Sequence, residues 1–314
     1  MNYDHDSLKE LFDQIEETVG RCWASSIYSM ADARKFENAS DDDYFHVMIH
    51  VIFCSGLPSE LAENRMVAID RSFTQYRAAS YLDNQRVAQI LQDPAIAKHD
   101  RKIRRIIAIA RSFRTVVSEF GSFHEYLDSM GGRDIESLLA LRTDLMRRFT
   151  FLGKRTSLLF LIELGYPILK PGRAVLRVLV RLGLVHPSIA SDYEPDRRPL
   201  NERQSIIIVR AGARIAEATQ KPVPYISEVL NAFAQGDVAK GIGFGVDRPA
   251  MGICSEERPS CHLCGARDRC RYQNKTQFPQ RTALAGRAVW DCSGARSHRA
   301  RSPEHNPEIQ LRVN

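Results

Sequence analysis

Residues 254–270 read Cys254-Ser-Glu-Glu-Arg-Pro-Ser-Cys261-His-Leu-Cys264-Gly-Ala-Arg-Asp-Arg-Cys270, four cysteines within 17 residues at the spacing C-x6-C-x2-C-x5-C. Thiolates this close in sequence can wrap one metal centre, because each short loop returns to a common point at little ordering cost. Four sulfur ligands suit zinc or an iron–sulfur cluster and exclude the hard cations magnesium and calcium. Zinc sites usually pair two C-x2–4-C knuckles across a longer insert. Here a single C-x2-C lies between gaps of six and five. Surface disulfides are the other reading of four cysteines, and they belong to exported chains. The acidic start Met-Asn-Tyr-Asp-His-Asp, with no apolar run behind it, does not read as a secretory signal.

Working outward, the 314 residues, 44% hydrophobic and 26% charged, describe an ordinary soluble chain large enough for two domains. No stretch approaches the ~18 apolar residues of a membrane span. Of the seven cysteines, Cys22, Cys54 and Cys292 lie outside the loop. Cys54, in Val-Ile-Phe-Cys, reads as a buried thiol, and a reducing cytoplasm is the expected location. The net charge of +6 is unevenly spread: residues 1–100 carry 9 Lys and Arg against 17 Asp and Glu, residues 101–200 carry 18 against 10, and residues 201–314 carry 17 against 11. A basic centre and C-terminal part beside an acidic start suggest a face for a polyanion, although charge runs are often only solvated helix faces.

Helical periodicity recurs along the chain and clean alternation does not, so the fold class is all-α. Residues 7–20 form an amphipathic helix capped by Ser7, with Leu8, Leu11, Phe12, Ile15 and Val19 on one stripe. A buried helix is expected from Tyr44 to Ser55, further helices over 59–73 and 86–93, and a basic amphipathic one over 100–117. Ser122 and Asp134 are read as caps of two more. Residues 139–164 read as helix, tight turn at Phe149–Gly153, helix. A Gly/Pro-rich crossing leads to a new helix from about Gly172, a loop over 187–200, and helices over 201–219 and 224–235. The tail beyond about 275 loses periodicity, and disorder is expected there.

The cluster spacing resembles the loop of endonuclease III and its relatives, the helix-hairpin-helix DNA glycosylases that carry a 4Fe–4S cluster. Gln92-Asp-Pro-Ala-Ile-Ala-Lys-His-Asp-Arg-Lys-Ile-Arg and Glu119-Phe-Gly-Ser-Phe-His-Glu-Tyr-Leu are similar to the 3-methyladenine DNA glycosylase branch. The resemblance implies two helical domains with a DNA-binding cleft between them. A six-helix barrel would span 44–165, with the hairpin at about 139–165. A cluster domain over 166–275 would be joined by the N-terminal helix of residues 1–43, and 276–314 would be a basic tail. It implies that Cys254, Cys261, Cys264 and Cys270 hold a 4Fe–4S cluster as a structural brace. It further implies that a monomer contacts duplex DNA through Arg147, Arg148, Gly153, Lys154, Arg155, Thr156 and Arg173, with Leu57 as a candidate wedge for the duplex. The basic residues around the cluster, among them Arg258, Arg267, Arg269 and Arg271, either balance its charge or face phosphate.

Two departures from the family pattern bear on chemistry. The hairpin keeps only the second glycine of L-P-G-x-G, as Phe149-Thr-Phe-Leu-Gly153. More seriously, cleavage of an N-glycosidic bond passes through a cationic sugar, which a carboxylate stabilises. Relatives place that Asp in Lys-Pro-Asp-Arg, whereas this chain reads Lys170-Pro-Gly172-Arg173. The nucleophilic Lys of the bifunctional relatives falls at Arg155, which stays protonated and forms no Schiff base. A monofunctional glycosylase for a damaged base, alkylated bases among the candidates, is therefore the expected activity. Substitute carboxylates are Glu163, Glu60 and Glu63, and the alternative is a DNA-binding homologue without turnover.

Overall fold

A computed structural model describes residues 3–23, 39–54, 59–191, 200–235, 252–256 and 259–272. Among them the chain forms α-helices and short 3-10 turns, and no strand. No helix among them is long and apolar enough to cross a membrane. The expectations for Leu57, Arg258, Cys292 and the tail, and for the side chains of Cys22, Glu60 and Glu63, lie outside the described residues.

The helices are α1 (His5–Trp23), α2 (Asp41–Cys54), α3 (Ser59–Ser72), α4 (Tyr76–Ser80), α5 (Asn84–Ile90), α6 (Asp100–Phe120), α7 (Phe123–Ser129), α8 (Ile135–Arg148), α9 (Thr156–Glu163), α10 (Arg173–Arg181), α11 (Ser188–Ser191), α12 (Glu202–Thr219) and α13 (Val223–Gln235). Local side-chain caps set several of their starts. The Ser122 hydroxyl accepts the Glu125 amide and the Asp134 carboxylate accepts those of Glu136 and Ser137, so both predicted caps are present. Asn201 and Gln204 make a reciprocal capping box that starts α12. The start of α1 differs from expectation. Its first turn is closed by Asp4, whose carboxylate accepts the Ser7 amide at 2.8 Å, so Ser7 lies inside the helix and does not cap it. Residues 187–200, expected as loop, contain the single turn α11.

Within residues 1–277, which pack as one compact unit, the buried side chains fall into two clusters. The first runs from Tyr44 on α2 to Ile168 and takes Val209 from α12. Its centre is aromatic: Phe113 stacks on Phe123 at 4.5 Å between centroids, with Tyr76 at 4.9 Å from Phe113. The second joins Leu8, Leu11, Phe12, Ile15 and Val19 of α1 to α10, α12, α13 and the cysteine loop. The apolar stripe read for the N-terminal helix is therefore buried against the C-terminal half of the chain. Helix α12 serves both cores, since Val209 faces the first and Ile208 the second. It also lies hard against the crossing: a Cβ on Gly212 would stand 2.4 Å from Leu169 Cβ, so only glycine permits that approach.

Candidate nucleic-acid interface and cysteine centre

Helices α8 and α9 meet at a corner pinned from beneath. The Phe149 and Leu152 side chains are buried, while Gly153, Lys154 and Arg155 are exposed. Arg142, a charged group almost wholly buried, donates to the Lys154 carbonyl at 2.9 Å and to Glu202 at 3.1 Å. Lys154 Nζ reaches the other oxygen of Glu202 at 2.7 Å. Hydrogen bonds from Lys154 and then Arg142 hold the Glu202 carboxyl below the usual carboxylate range. These pairs, with Arg210 forked onto Glu136 at 3.0 Å, fasten the corner to α12. Sequence reading missed Arg142 and Glu202, because nothing local marks partners sixty residues apart.

The predicted contact residues do not form one uniform patch. Arg147 projects into solvent, its side chain 72% exposed, with Asp144 beside it. Arg155 is exposed and has no ion-pair partner among the described residues. Arg148 is different: it donates to Asp144 at 2.7 Å and Glu119 at 2.6 Å and lies over the rings of Phe120 and Tyr126, which makes it a structural clamp. Gly153 has no left-handed backbone, and a Cβ there would meet only the Thr156 hydroxyl, at 3.8 Å. Its amide is already taken by the Thr156 hydroxyl at 2.7 Å, so the turn offers cations and surface more than free amides. Gly172 is half-buried in extended conformation at the N-cap of α10, with Arg173 beginning the helix.

The Arg148 clamp supports a test at acid pH. Burial alone would raise the Asp144 carboxyl, but hydrogen bonds from Arg148, Tyr126 and Arg147 outweigh it and hold the group below its ordinary range. A carboxylate depressed on folding stabilises above its unfolded value and loses that stabilisation as pH falls through the folded one. Asp144→Asn is thus expected to cost about 2 kcal/mol at neutral pH. The gap to wild type should narrow below pH ~3. Melting curves at both pH values read this, and an equal gap at both would remove charge as the cause.

Two carboxyl groups lie near the crossing. Glu163, the predicted substitute, ends α9, and its charge adds to the burial that pushes the Cys54 thiol up. Cys54 itself is half-buried rather than buried. Glu228 on α13 was not anticipated. Burial pushes its carboxyl above the usual range, with Lys170 pulling the other way, and Lys170 is two residues before Gly172. Glu228 has no hydrogen-bond partner among the described residues. Desolvation of this kind leaves no local signature in sequence.

All four loop cysteines line one small pocket, together with Leu182, Phe233, Ile253, Arg181, Arg267 and Tyr272. Cys254 and Cys270 are buried, and Cys261 and Cys264 are partly so. Burial pushes the Cys264 thiol up to about 12, the Ala266 amide opposing it. Burial raises the Cys254 thiol too, against the pull of Arg181, whose guanidinium sits 3.5 Å from the Cys254 sulfur and donates to the Ser255 carbonyl at 2.7 Å. The donor set fits a thiophilic metal centre, because buried thiols that resist ionising alone give up protons to a bound cation. The Ser255 hydroxyl is buried without a partner among the described residues, a spare donor next to a ligand. The loop is tied to α1 through Gly265, whose amide donates to the Thr18 hydroxyl at 3.0 Å. A Cβ there would stand 2.9 Å from that oxygen. Arg269 donates to the Ser7 carbonyl at 2.9 Å and pairs with Glu10.

Residues 35–147 match the family described as methyladenine glycosylase. The match contains both segments, 92–104 and 119–127, that carry the sequence resemblance. No curated protein matches the chain. Among solved structures, the 8-oxoguanine DNA glycosylase of Thermotoga maritima is 15% identical at a TM-score of 0.48, covering 74% of this chain and 99% of that one. The 8-oxoguanine DNA glycosylase of Methanocaldococcus jannaschii is 16% identical at 0.46, covering 73% and 96%. A complex of the Methanocaldococcus jannaschii 8-oxoguanine glycosylase/lyase with a 15mer DNA containing 8-oxoguanine is 14% identical at 0.40, covering 70% and 88%.

Proposed function

We propose that the chain is a helix-hairpin-helix DNA glycosylase-like repair protein that binds duplex DNA and releases a damaged base by hydrolysis. The observation that carries this reading is the methyladenine glycosylase match over 35–147. The exposed corner supports it: Arg147, Lys154 and Arg155 would neutralise phosphates and so position the duplex without reading sequence. The target base would leave the stack for a pocket between the two cores. A positively charged alkylated purine suits the site best, because its bond is already labile and the family's carboxylate is absent at Gly172. Arg155 supplies no amine nucleophile, so no strand cleavage should follow base release.

The cysteine cavity would hold a 4Fe–4S cluster on Cys254, Cys261, Cys264 and Cys270. The spacing C-x6-C-x2-C-x5-C, a single C-x2-C in place of the two knuckles zinc sites usually pair, favours the multi-iron core over one zinc. When bound, such a cluster supplies a rigid anchor; the residues around it orient the second core.

The test is release of free base from duplexes carrying methylated, deaminated or oxidised bases. The expected product is an alkylated purine and an intact strand bearing an abasic site. Glu228→Gln and Glu163→Gln identify a stand-in carboxylate by a loss on the ~10²–10⁴-fold scale of a positioned catalytic group. Silence across the panel, with duplex still retained at low salt, would favour a DNA-binding homologue without turnover, the reading that Gly172 itself suggests.

A further inference from the structure

The first core carries a second set of metal-type ligands that neither the hairpin nor the cysteine loop explains. His46 and His50 stand one turn apart on α2 and so share a face. Helix α3 brings Asp70 to that face. His50 Nε2 lies 2.6 Å from Asp70 Oδ1, and His46 Nδ1 lies 3.3 Å from the same oxygen. The ligand atoms of all three lie within 4.8 Å of one another. The two imidazole rings stand 6.1 Å apart at 72°, so their nitrogens converge instead of stacking.

Hydrogen bonding fixes how His46 presents itself. Its Nε2 is 3.1 Å from the Thr74 carbonyl, and a carbonyl only accepts, so Nε2 carries the hydrogen. In a neutral ring Nδ1 then turns a lone pair toward the Asp70 carboxylate, itself an acceptor. Two acceptors facing at this distance repel unless a cation lies between them. A proton would do so, and so would a metal ion. An imidazole that donates its far N–H to a backbone carbonyl while its near nitrogen faces the centre is the outer-shell arrangement metal-ligating histidines show.

We propose that His46 Nδ1, His50 Nε2 and Asp70 form a divalent transition-metal site of the zinc class, separate from the cysteine centre. Two imidazoles and one carboxylate suit zinc and its neighbours and disfavour magnesium and calcium, which take oxygen alone. The side chains are 27%, 39% and 42% exposed, which leaves the ion open to solvent and room for water in the remaining position. Such an ion ties α2 to α3 on the outer side of the first core.

Calorimetric titration of the full chain, as isolated with whatever metal its cysteines hold, with Zn²⁺ tests this. Wild type is expected to take up one further equivalent. His50→Gln and Asp70→Asn are expected to weaken that uptake by more than the ~10–100-fold that loss of an outer partner costs, while their zinc-free melting temperatures stay at the wild-type value. Pulsed EPR of wild type loaded with one equivalent of Cu²⁺ gives a readout needing no variant, and should show two coordinated imidazoles. No additional zinc uptake, uptake equal in the variants, or copper without imidazole coupling would each overturn the site. None of these outcomes touches DNA binding or base release, so the proposed function stands or falls separately.

Discussion

Purified without exposure to air, the protein is expected to be brown, to absorb near ~400 nm and to carry about four irons per chain. Cys270→Ala should lose the colour and the iron. The second core should loosen with it, because the loop that joins α1 to α10 has almost no regular structure of its own. Its described backbone has one 3-10 turn, Arg267–Arg269, and no longer helix or strand. Its packing into that core rests on Ile253, Cys254, Ala266 and Cys270. Its anchors are separate single bonds: the Cys254 amide to the Phe233 carbonyl at 2.9 Å, Ser260 to Ile253 at 2.8 Å and Arg271 to Arg181 at 2.8 Å, beside those of Gly265 and Arg269 to α1 and of Arg181 to Ser255. A metal bound here would order the segment, its binding energy becoming folding energy, on the order of ~10 kcal/mol for small zinc domains. The variant is therefore expected to lose the cooperative melt of the second core while α2–α9 keep their helical signal. One equivalent of zinc in a colourless protein would replace the iron assignment and leave the four-thiol site intact. Cys270→Ala with unchanged metal content and melting would remove the site altogether.

What the sequence made legible follows from which interactions are local. Periodic apolar stripes located the long helices, since Leu8 to Val19 or Ile103 to Val117 need only one face to declare themselves. The caps at Ser122 and Asp134 were equally readable, being bonds across three residues. Ser7 misled because Asp4, the residue that accepts its amide, is also a good capping type. Helix α4 escaped notice because Tyr76–Ser80 is too short to show a period. The candidate site divides along the same line. Cysteine spacing and a basic turn are visible one residue at a time. The burial of Arg142, the bridge through Glu202, the desolvation of Glu228 and the arrival of Asp70 beside two histidines all depend on how distant helices pack. Arg148 shows the converse: beside Arg147 it reads as a second phosphate contact, and only packing brings Glu119 to it and makes it a clamp.

Restoring a carboxylate with Gly172→Asp is expected to raise base release by ~10²–10⁴-fold, the scale of one positioned catalytic group, without unfolding the chain. Gly172 has φ −144° and ψ 150°, an extended conformation open to any residue. A Cβ there meets only Val175 Cγ2, at 4.0 Å. The position is the N-cap of α10 and provides no side-chain cap. Aspartate would accept an amide from the first turn, adding a few tenths of a kcal/mol, up to about 1. The helix dipole would also keep that carboxylate ionised, the form needed beside a cationic sugar. Gly172→Asn separates the two effects, since it caps about as well but carries no charge. Activity gained by the aspartate variant alone, with both variants equally stabilised, would mean that the fold and DNA face persist around a lost catalyst. Strong release by wild type, unchanged in either variant, would instead move the chemistry to Glu163 or Glu228. Stabilisation of both variants with no release from any duplex would leave the crossing as structure only and the chain as a binder of DNA.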